Sequence, residues 1–246
     1  MATVTGGKSV YGARLGILML EARFPRIPGD MGNASTWPFP VQYRIVEGAS
    51  PDKAVRKDPM ALLPDFIDAA RDLVRHGCDG LTTNCGFLAL MQQELSAAVP
   101  VPVATSSLLQ IPMMQRMLPA EKTVGVLTIS ADSLSDQHFH AAGVAEPGQL
   151  AIEGVDPTGA FATTILEDKN TMDIDACRAD MLAAVDRLVE RAPQVGAIVL
   201  ECTNMVPYAA EISQRTGRPV FSIYTLVHQF YAGLQPRSFS TADVRD

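Results

Sequence analysis

Two of the four cysteines in this chain occupy matching settings. Cys85 follows a short run of strand-forming residues, 79–83, and precedes an amphipathic stretch, 86–98; Cys202 follows residues 196–200 and precedes residues 206–216. A thiol at the junction of a strand and a helix meets the unbonded N–H groups and the positive end of the helix dipole, and both favour the thiolate. Two such thiols facing one another across a cleft can remove a proton from one face of a carbon and return one to the other. One acts as thiolate base and the other as thiol acid, and the roles swap with the handedness of the substrate. Asn84, Gly86 and Phe87 beside the first cysteine, and Thr203 and Asn204 beside the second, are the neighbours whose backbone N–H groups and side chains could hold a carboxylate. Cys78 leads into a strand and Cys177 lies within a helical pattern, so both read as small buried hydrophobes.

The elements that position these thiols alternate. Residues 14–20, 79–83, 101–105, 123–128, 151–155, 196–200 and 219–223 read as strands. Residues 58–76, 86–98, 131–142, 173–192 and 206–216 read as helices, with a last helix ending near Leu234. Strands alternating with helices predict an α/β protein with parallel sheets. Residues 21–50, rich in Pro and Gly, read as a long irregular segment, a length that in a compact domain usually serves function.

The chain also repeats itself. Sliding residues 79–105 onto 196–222, an offset of 117, places Cys85 on Cys202, Glu94 on Glu211, Ser96 on Ser213, Pro102 on Pro219 and Val103 on Val220 without a gap. Leu15-Gly16-Ile17-Leu18 pairs with Val124-Gly125-Val126-Leu127 at an offset of 109. We therefore expect two similar α/β lobes. The first covers residues 1–118, with about 220–246 returning to it, and carries Cys85; the second covers 119–219 and carries Cys202.

Composition excludes several classes. The chain has 246 residues and a formal charge of −7, with 47% hydrophobic and 19% charged residues, so it is globular and has no basic surface for nucleic acid. No apolar run approaches the ~18 residues that span a bilayer. The first residues lack a signal-peptide pattern, so the expected location is cytoplasmic and the cysteines are expected to be reduced. His138 and His140, flanking Phe139, point to different faces of a helix and do not make a metal site; no metal is expected. Gly6-Gly7-Lys8 lacks the spacing of a phosphate loop, and no lysine stands at a strand end as a pyridoxal phosphate anchor, so no cofactor is expected.

TTNCGF around Cys85 and LECTNM around Cys202 resemble the aspartate/glutamate racemase superfamily, which includes glutamate, aspartate and hydantoin racemases, maleate isomerases and arylmalonate decarboxylases. The first loop has Cys85-Gly86-Phe87 where the amino-acid racemases have Cys-Asn-Thr. Together with PGDMGNASTWPFPV, residues 28–41, NCGF is similar to the algal dimethylsulfoniopropionate lyases of the same superfamily. The resemblance implies two flavodoxin-like lobes, a site in the cleft between them and no cofactor. It implies an isomerase that transfers protons by two thiols at the carbon α to a carboxylate, with a lyase of the dimethylsulfoniopropionate type as the alternative. An isomerase or decarboxylase of the superfamily and a small-molecule binding module are further alternatives, and a thiol-redox protein would want closer cysteines.

Secondary candidates are Thr128 and Ser130 after the first strand of the second lobe, and Thr105, Ser106 and Ser107 after a Pro-Val strand, which either line the cleft or cap a helix. Asp30, Asn33, Trp37 and Phe39 lie in the long segment and could belong to a lid. Glu21 could orient a thiol, and Arg23 and Arg26 are the nearby cations. The expected partner is a small carboxylate-bearing substrate, and a homo-oligomer is left open.

Overall fold

In a computed structural model that describes residues 3–239, the chain forms two four-stranded parallel sheets. The first has the order β2-β1-β3-β4, built from β1 (Leu15–Leu20), β2 (Val41–Val46), β3 (Gly80–Thr83) and β4 (Val103–Ala104). The second has the order β6-β5-β7-β8, built from β5 (Thr123–Thr128), β6 (Ala151–Gly154), β7 (Val195–Leu200) and β8 (Val220–Phe221). This is the two-lobed α/β arrangement expected from the alternating pattern and from the resemblance.

The internal repeat is carried into three dimensions without slippage. β4 maps onto β8 at the offset of 117. The 3-10 turn Gly86–Met91 maps onto Thr203–Tyr208, and the helix α3 (Gln92–Ala98) starts on the counterpart of the start of α8 (Ala209–Thr216). Gly16 and Gly125 also correspond. A Cβ on Gly16 would lie 2.7 Å from Leu81 and 2.9 Å from Leu73; one on Gly125 would lie 2.9 Å from Val195 and 3.0 Å from Leu188. In both lobes the glycine lets α2 (Leu63–Arg75) or α7 (Ile174–Arg191) press onto the sheet.

β1 is buried along its whole length and has two covers. Leu18 and Leu20 face the large core shared with α2 and the second lobe. Leu15, Ile17 and Met19 pack with Met31, Trp37, Ile223 and Val227 on the other face. α9 (Ile223–Leu234) supplies that second cover and thus lies against the first sheet after the chain has completed the second. Residues 240–246 of the expected returning segment lie outside the described residues.

Several elements differ from expectation. The segment 21–50 contains the edge strand β2, whose half-exposed residues carry no clean alternation. The expected helix 58–76 starts as a 3-10 turn, Pro59–Leu62, and becomes α2 only at Leu63, because Pro59 and Pro64 break the opening turns. The expected helix 131–142 shortens to α5 (Asp136–Ala141), capped by Ser135. Two short helices, α1 (Pro51–Arg56) and α6 (Ala160–Leu166), were not anticipated; each has too few turns to show a helical period. α4 (Ile111–Met117) continues the 3-10 turn Ser107–Gln110. Among the described residues no helix is long and apolar enough to cross a membrane.

Candidate active site

The carboxyl ends of β3 and β7 lead directly into Asn84-Cys85 and Glu201-Cys202, and each cysteine is the N-cap of a six-residue 3-10 turn. The expected α-helices after the thiols therefore begin later, at Gln92 instead of residue 86 and at Ala209 instead of residue 206. Four of the first-turn N–H groups are already occupied. Phe87 and Leu88 donate toward the Cys85 sulfur and Asn204 toward the Cys202 sulfur, while Leu88 also bonds the Cys85 carbonyl and Met205 the Cys202 carbonyl. Those N–H groups serve the thiols rather than an open anion cradle.

Both thiols line one small cavity of about 20 Å³ between the lobes. Its walls include Asn84, Cys85, Gly86 and Phe87 from the first loop and Glu201, Cys202, Thr203 and Asn204 from the second. Leu20, Phe24, Val55, Ile129 and Ile165 make the rest largely apolar, and Arg26 is the cation among the lining residues. The structure thus brings together eight of the residues singled out by sequence: Arg26, Asn84, Cys85, Gly86, Phe87, Cys202, Thr203 and Asn204. Cys85 is 9% exposed and Cys202 5%. Burial first, then the charge of Glu201, pushes Cys85 up to about 12 and raises Cys202 well above the usual thiol range.

The two loops are bolted together. Thr203 Oγ1 donates to the Asn84 carbonyl at 2.6 Å, and Ser107 Oγ donates to the Leu200 carbonyl at 2.7 Å. Asn84 Oδ1 accepts from the Leu20 N–H at 2.7 Å. A chain of polar groups runs from the second thiol into the long first-lobe segment. Cys202 Sγ donates to Asn204 Oδ1 at 3.5 Å, the Asn204 amide donates to Asp30 Oδ2, and Arg26 donates to Asp30 Oδ1 at 2.9 Å.

The other expected residues lie outside the cavity wall. Asp30 reaches the site through Asn204, as just described. Thr128 points its hydroxyl at Glu201 Oε2, 2.7 Å away, so it supports a wall residue. Ser130 Oγ is spent on Ser133 at 2.9 Å. Ser106 caps the turn at Leu108, and Thr105 is held by Gln92. Trp37 is buried, stacked on Phe39 and Tyr224, and its indole donates to the Met31 carbonyl; it is core beneath α9 and does not form a lid. Asn33 caps a turn at Ser35, and Glu21 accepts from Gly48 at the surface. Arg23 pairs with Asp168 and is 83% exposed, unlike Arg26 of the cavity wall, which is 14% exposed.

Glu201 was not anticipated. It is 1% exposed, and a Cβ on Gly86 would lie 2.2 Å from its Oε1 and 2.3 Å from its backbone carbonyl. Gly86 is glycine because the Glu201 carboxyl and main chain fill the space of any side chain there. The signal for Glu201 was present in the repeat, which aligns it with Asn84, the residue before the first thiol.

Comparison with known proteins agrees with this geometry. Dimethylsulfoniopropionate lyase 7 of Emiliania huxleyi is 27% identical over 229 residues, covering 89% of this chain and 67% of that protein. Across the curated relatives matched, all named dimethylsulfoniopropionate lyases, this chain spans from 44% to 75% of their length. Unliganded arylmalonate decarboxylase superposes with a TM-score of 0.58 at 17% identity, over 93% of this chain and 94% of that one. Glutamate racemase from Francisella tularensis in complex with D-glutamate superposes with a TM-score of 0.59 at 12% identity, over 93% and 85%. The family model described as Asp/Glu/Hydantoin racemase matches residues 58–228, a span that runs from the approach to α2 through both cysteine loops to α9, and the chain belongs to that family.

Proposed function

We propose that the protein is a cofactor-independent enzyme that removes the proton from the carbon α to a carboxylate with one of the thiols of Cys85 and Cys202. The observation that carries this reading is that both thiols, from equivalent strand ends of two lobes, line one small cavity. The step breaks the Cα–H bond, the proton goes to the thiolate, and the electron pair stays on carbon, where the adjacent carboxylate accepts it.

We take β-elimination as the outcome. The carbanion pair forms the Cα=Cβ bond and the bond to the β-substituent breaks with its electrons leaving on that substituent. Two observations support this over racemisation. The walls are apolar around Leu20, Phe24, Val55, Phe87, Ile129 and Ile165, which suits an uncharged departing group. The matched curated relatives are named as lyases of dimethylsulfoniopropionate, a carboxylate with a β-sulfonium that leaves as a neutral sulfide. Arg26 and the Asn84 amide are the donors best placed to hold the carboxylate.

The second reading is racemisation, favoured by the equivalence of the two thiol loops under the repeat. Proton NMR in D₂O of dimethylsulfoniopropionate and of amino and hydroxy acids with the enzyme separates the two. Appearance of an alkene and a sulfide supports elimination; α-deuterium in recovered substrate without product supports racemisation; no exchange in any of them sinks the α-proton reading.

A further inference from the structure

The two lobes differ chemically at one pair of equivalent positions. Asn84 and Glu201 stand before the two thiols, and two of the bonds that hold them correspond. The Asn84 N–H donates to the Leu18 carbonyl and the Glu201 N–H to the Leu127 carbonyl. The Asn84 side chain accepts from the Leu20 N–H, and the Glu201 side chain accepts from the equivalent Ile129 N–H. The frame is the same, yet one side holds a neutral amide and the other an acid.

That acid is buried against both thiol loops. It precedes Cys202 directly, and its Oε1 occupies the side-chain space of Gly86, the residue after Cys85. Oε2 is held by the Thr128 hydroxyl. Oε1 has no partner, and among the described residues it is the one such buried atom that belongs to the cavity wall. The other charged groups around it are paired, Arg26 through one N–H only, or neutral. Arg26 and Asp30 neutralise one another, and His138 lies behind Phe87 with its ring kept neutral by burial. Glu201, Cys85 and Cys202 are then the acid–base groups left facing the cavity.

We propose that Glu201, Cys85 and Cys202 form one acid–base unit sharing a single negative charge, which rests on the Glu201 carboxylate and passes to a thiol when a proton moves from that thiol to the carboxylate through the cavity they share. In that step an S–H bond breaks, an O–H bond forms and the electron pair stays on sulfur. The thiolate so made takes the substrate's α-proton, and Glu201 later releases its own proton to solvent. This inference rests on the two-thiol reading above and adds the group that sets the charge of the thiols.

The coupling has a defined signature. Burial raises Glu201 to about 7, and its charge in turn raises both thiols. Below that range the thiolate population climbs with pH. Once Glu201 is ionised, moving a proton from thiol to carboxylate leaves the proton count unchanged, so that share of the thiolate stops depending on pH, and the total climbs again only where a thiol ionises against the Glu201 charge. With a neutral amide at position 201 nothing halts the climb.

The test is iodoacetamide labelling of the full chain without substrate, quantified separately at Cys85 and Cys202 by peptide mass spectrometry across the neutral and alkaline range. Wild type should label faster with rising pH, level off above Glu201's ionisation near 7 and climb again once the thiols ionise beside the charged carboxylate. Glu201→Gln should match wild type in mild acid and keep climbing through the levelled range, ending faster by ~10-fold for each pK unit by which the Glu201 charge raises the thiol. Thr128→Val keeps the carboxyl but removes a donor, and should move the levelling point upward. Labelling of buried Cys177 reports any unfolding; if Glu201→Gln unfolds, Thr128→Val decides. Identical curves for wild type and Glu201→Gln, or an unmoved levelling point in Thr128→Val, overturn the shared charge. Because no substrate is used, failure of the α-proton reading in the NMR experiment leaves this result intact, and the reverse holds as well.

Discussion

Thr203 donates its hydroxyl proton to the Asn84 carbonyl at 2.6 Å, so the residue after one thiol is fastened to the residue before the other. Both groups are buried. Thr203→Val keeps the shape but orphans that carbonyl, which costs about 1–3 kcal/mol. We expect a lower Tm and at least a tenfold fall in kcat, with Thr203→Ser restoring most of both. Unchanged turnover in Thr203→Val would show that the spacing of the loops does not depend on this bond.

The cysteines divide into two pairs. Cys85→Ala and Cys202→Ala should each abolish turnover with the fold retained. Cys78→Ala and Cys177→Ala, whose sulfurs pack inside the lobes, should cost stability and spare kcat. Steady-state rates and thermal melts on the four variants check this. Near-native turnover in either of the first two would remove the two-thiol mechanism.

The arginines should separate by burial. Arg23→Ala breaks an exposed pair with Asp168 and should change stability by less than ~1 kcal/mol. Arg26→Ala leaves buried Asp30 unpaired behind Asn204 and Cys202, and such a loss costs about 3–5 kcal/mol. Its KM should also rise far more than that of Arg23→Ala, with little salt dependence because the cation is shielded from solvent. Comparable KM values for both variants would mean that the carboxylate is held elsewhere.

Gly86→Ala is a severe test of packing. The new Cβ would sit 2.2 Å from Glu201 Oε1 and 2.3 Å from its carbonyl. Overpacking of this kind costs about 1–3 kcal/mol or more and should displace the Cys85 loop, lowering both Tm and turnover. Combining it with Glu201→Ala relieves the side-chain clash only, so the carbonyl clash persists and the double variant should not recover activity.

Glu201 also makes stability depend on pH. Its carboxyl is raised from 4.5 to about 7, so the folded protein holds a proton that the unfolded chain has lost. Stability from this group is full below 4.5 and is lost as pH rises to about 7. Glu201→Gln carries no such charge. Relative to wild type it should gain on the order of 3 kcal/mol between mild acid and neutral pH, read by denaturant melts at the two conditions. A gap that does not change with pH would contradict the raised carboxyl.

The thiols and their immediate neighbours were legible because the repeat kept strand, cysteine and Pro-Val strand in one register. The loop partners were harder to read. A hydroxyl such as Thr128 or Ser106 looks the same in sequence whether it faces a cavity or caps a turn, and here it supports Glu201 in one case and Leu108 in the other. β2 escaped because an edge strand among prolines and glycines shows no alternation. Trp37 suggested a lid, since an aromatic in a long loop does not announce the helix 190 residues later that covers it. Glu201 escaped although the repeat aligns it with Asn84, because burial is invisible in one sequence.

The path of α9 has a consequence for how the molecule is made. Leu15, Ile17 and Met19 of the first strand are covered by Ile223 and Val227, so the earliest sheet to be synthesised waits for almost the last helix. Until residues 223–234 leave the ribosome, the first lobe presents a bare apolar strand face, and its folding cannot run to completion from the N-terminus onward in the usual domain-by-domain order. The second sheet is therefore complete before the first has both of its covers.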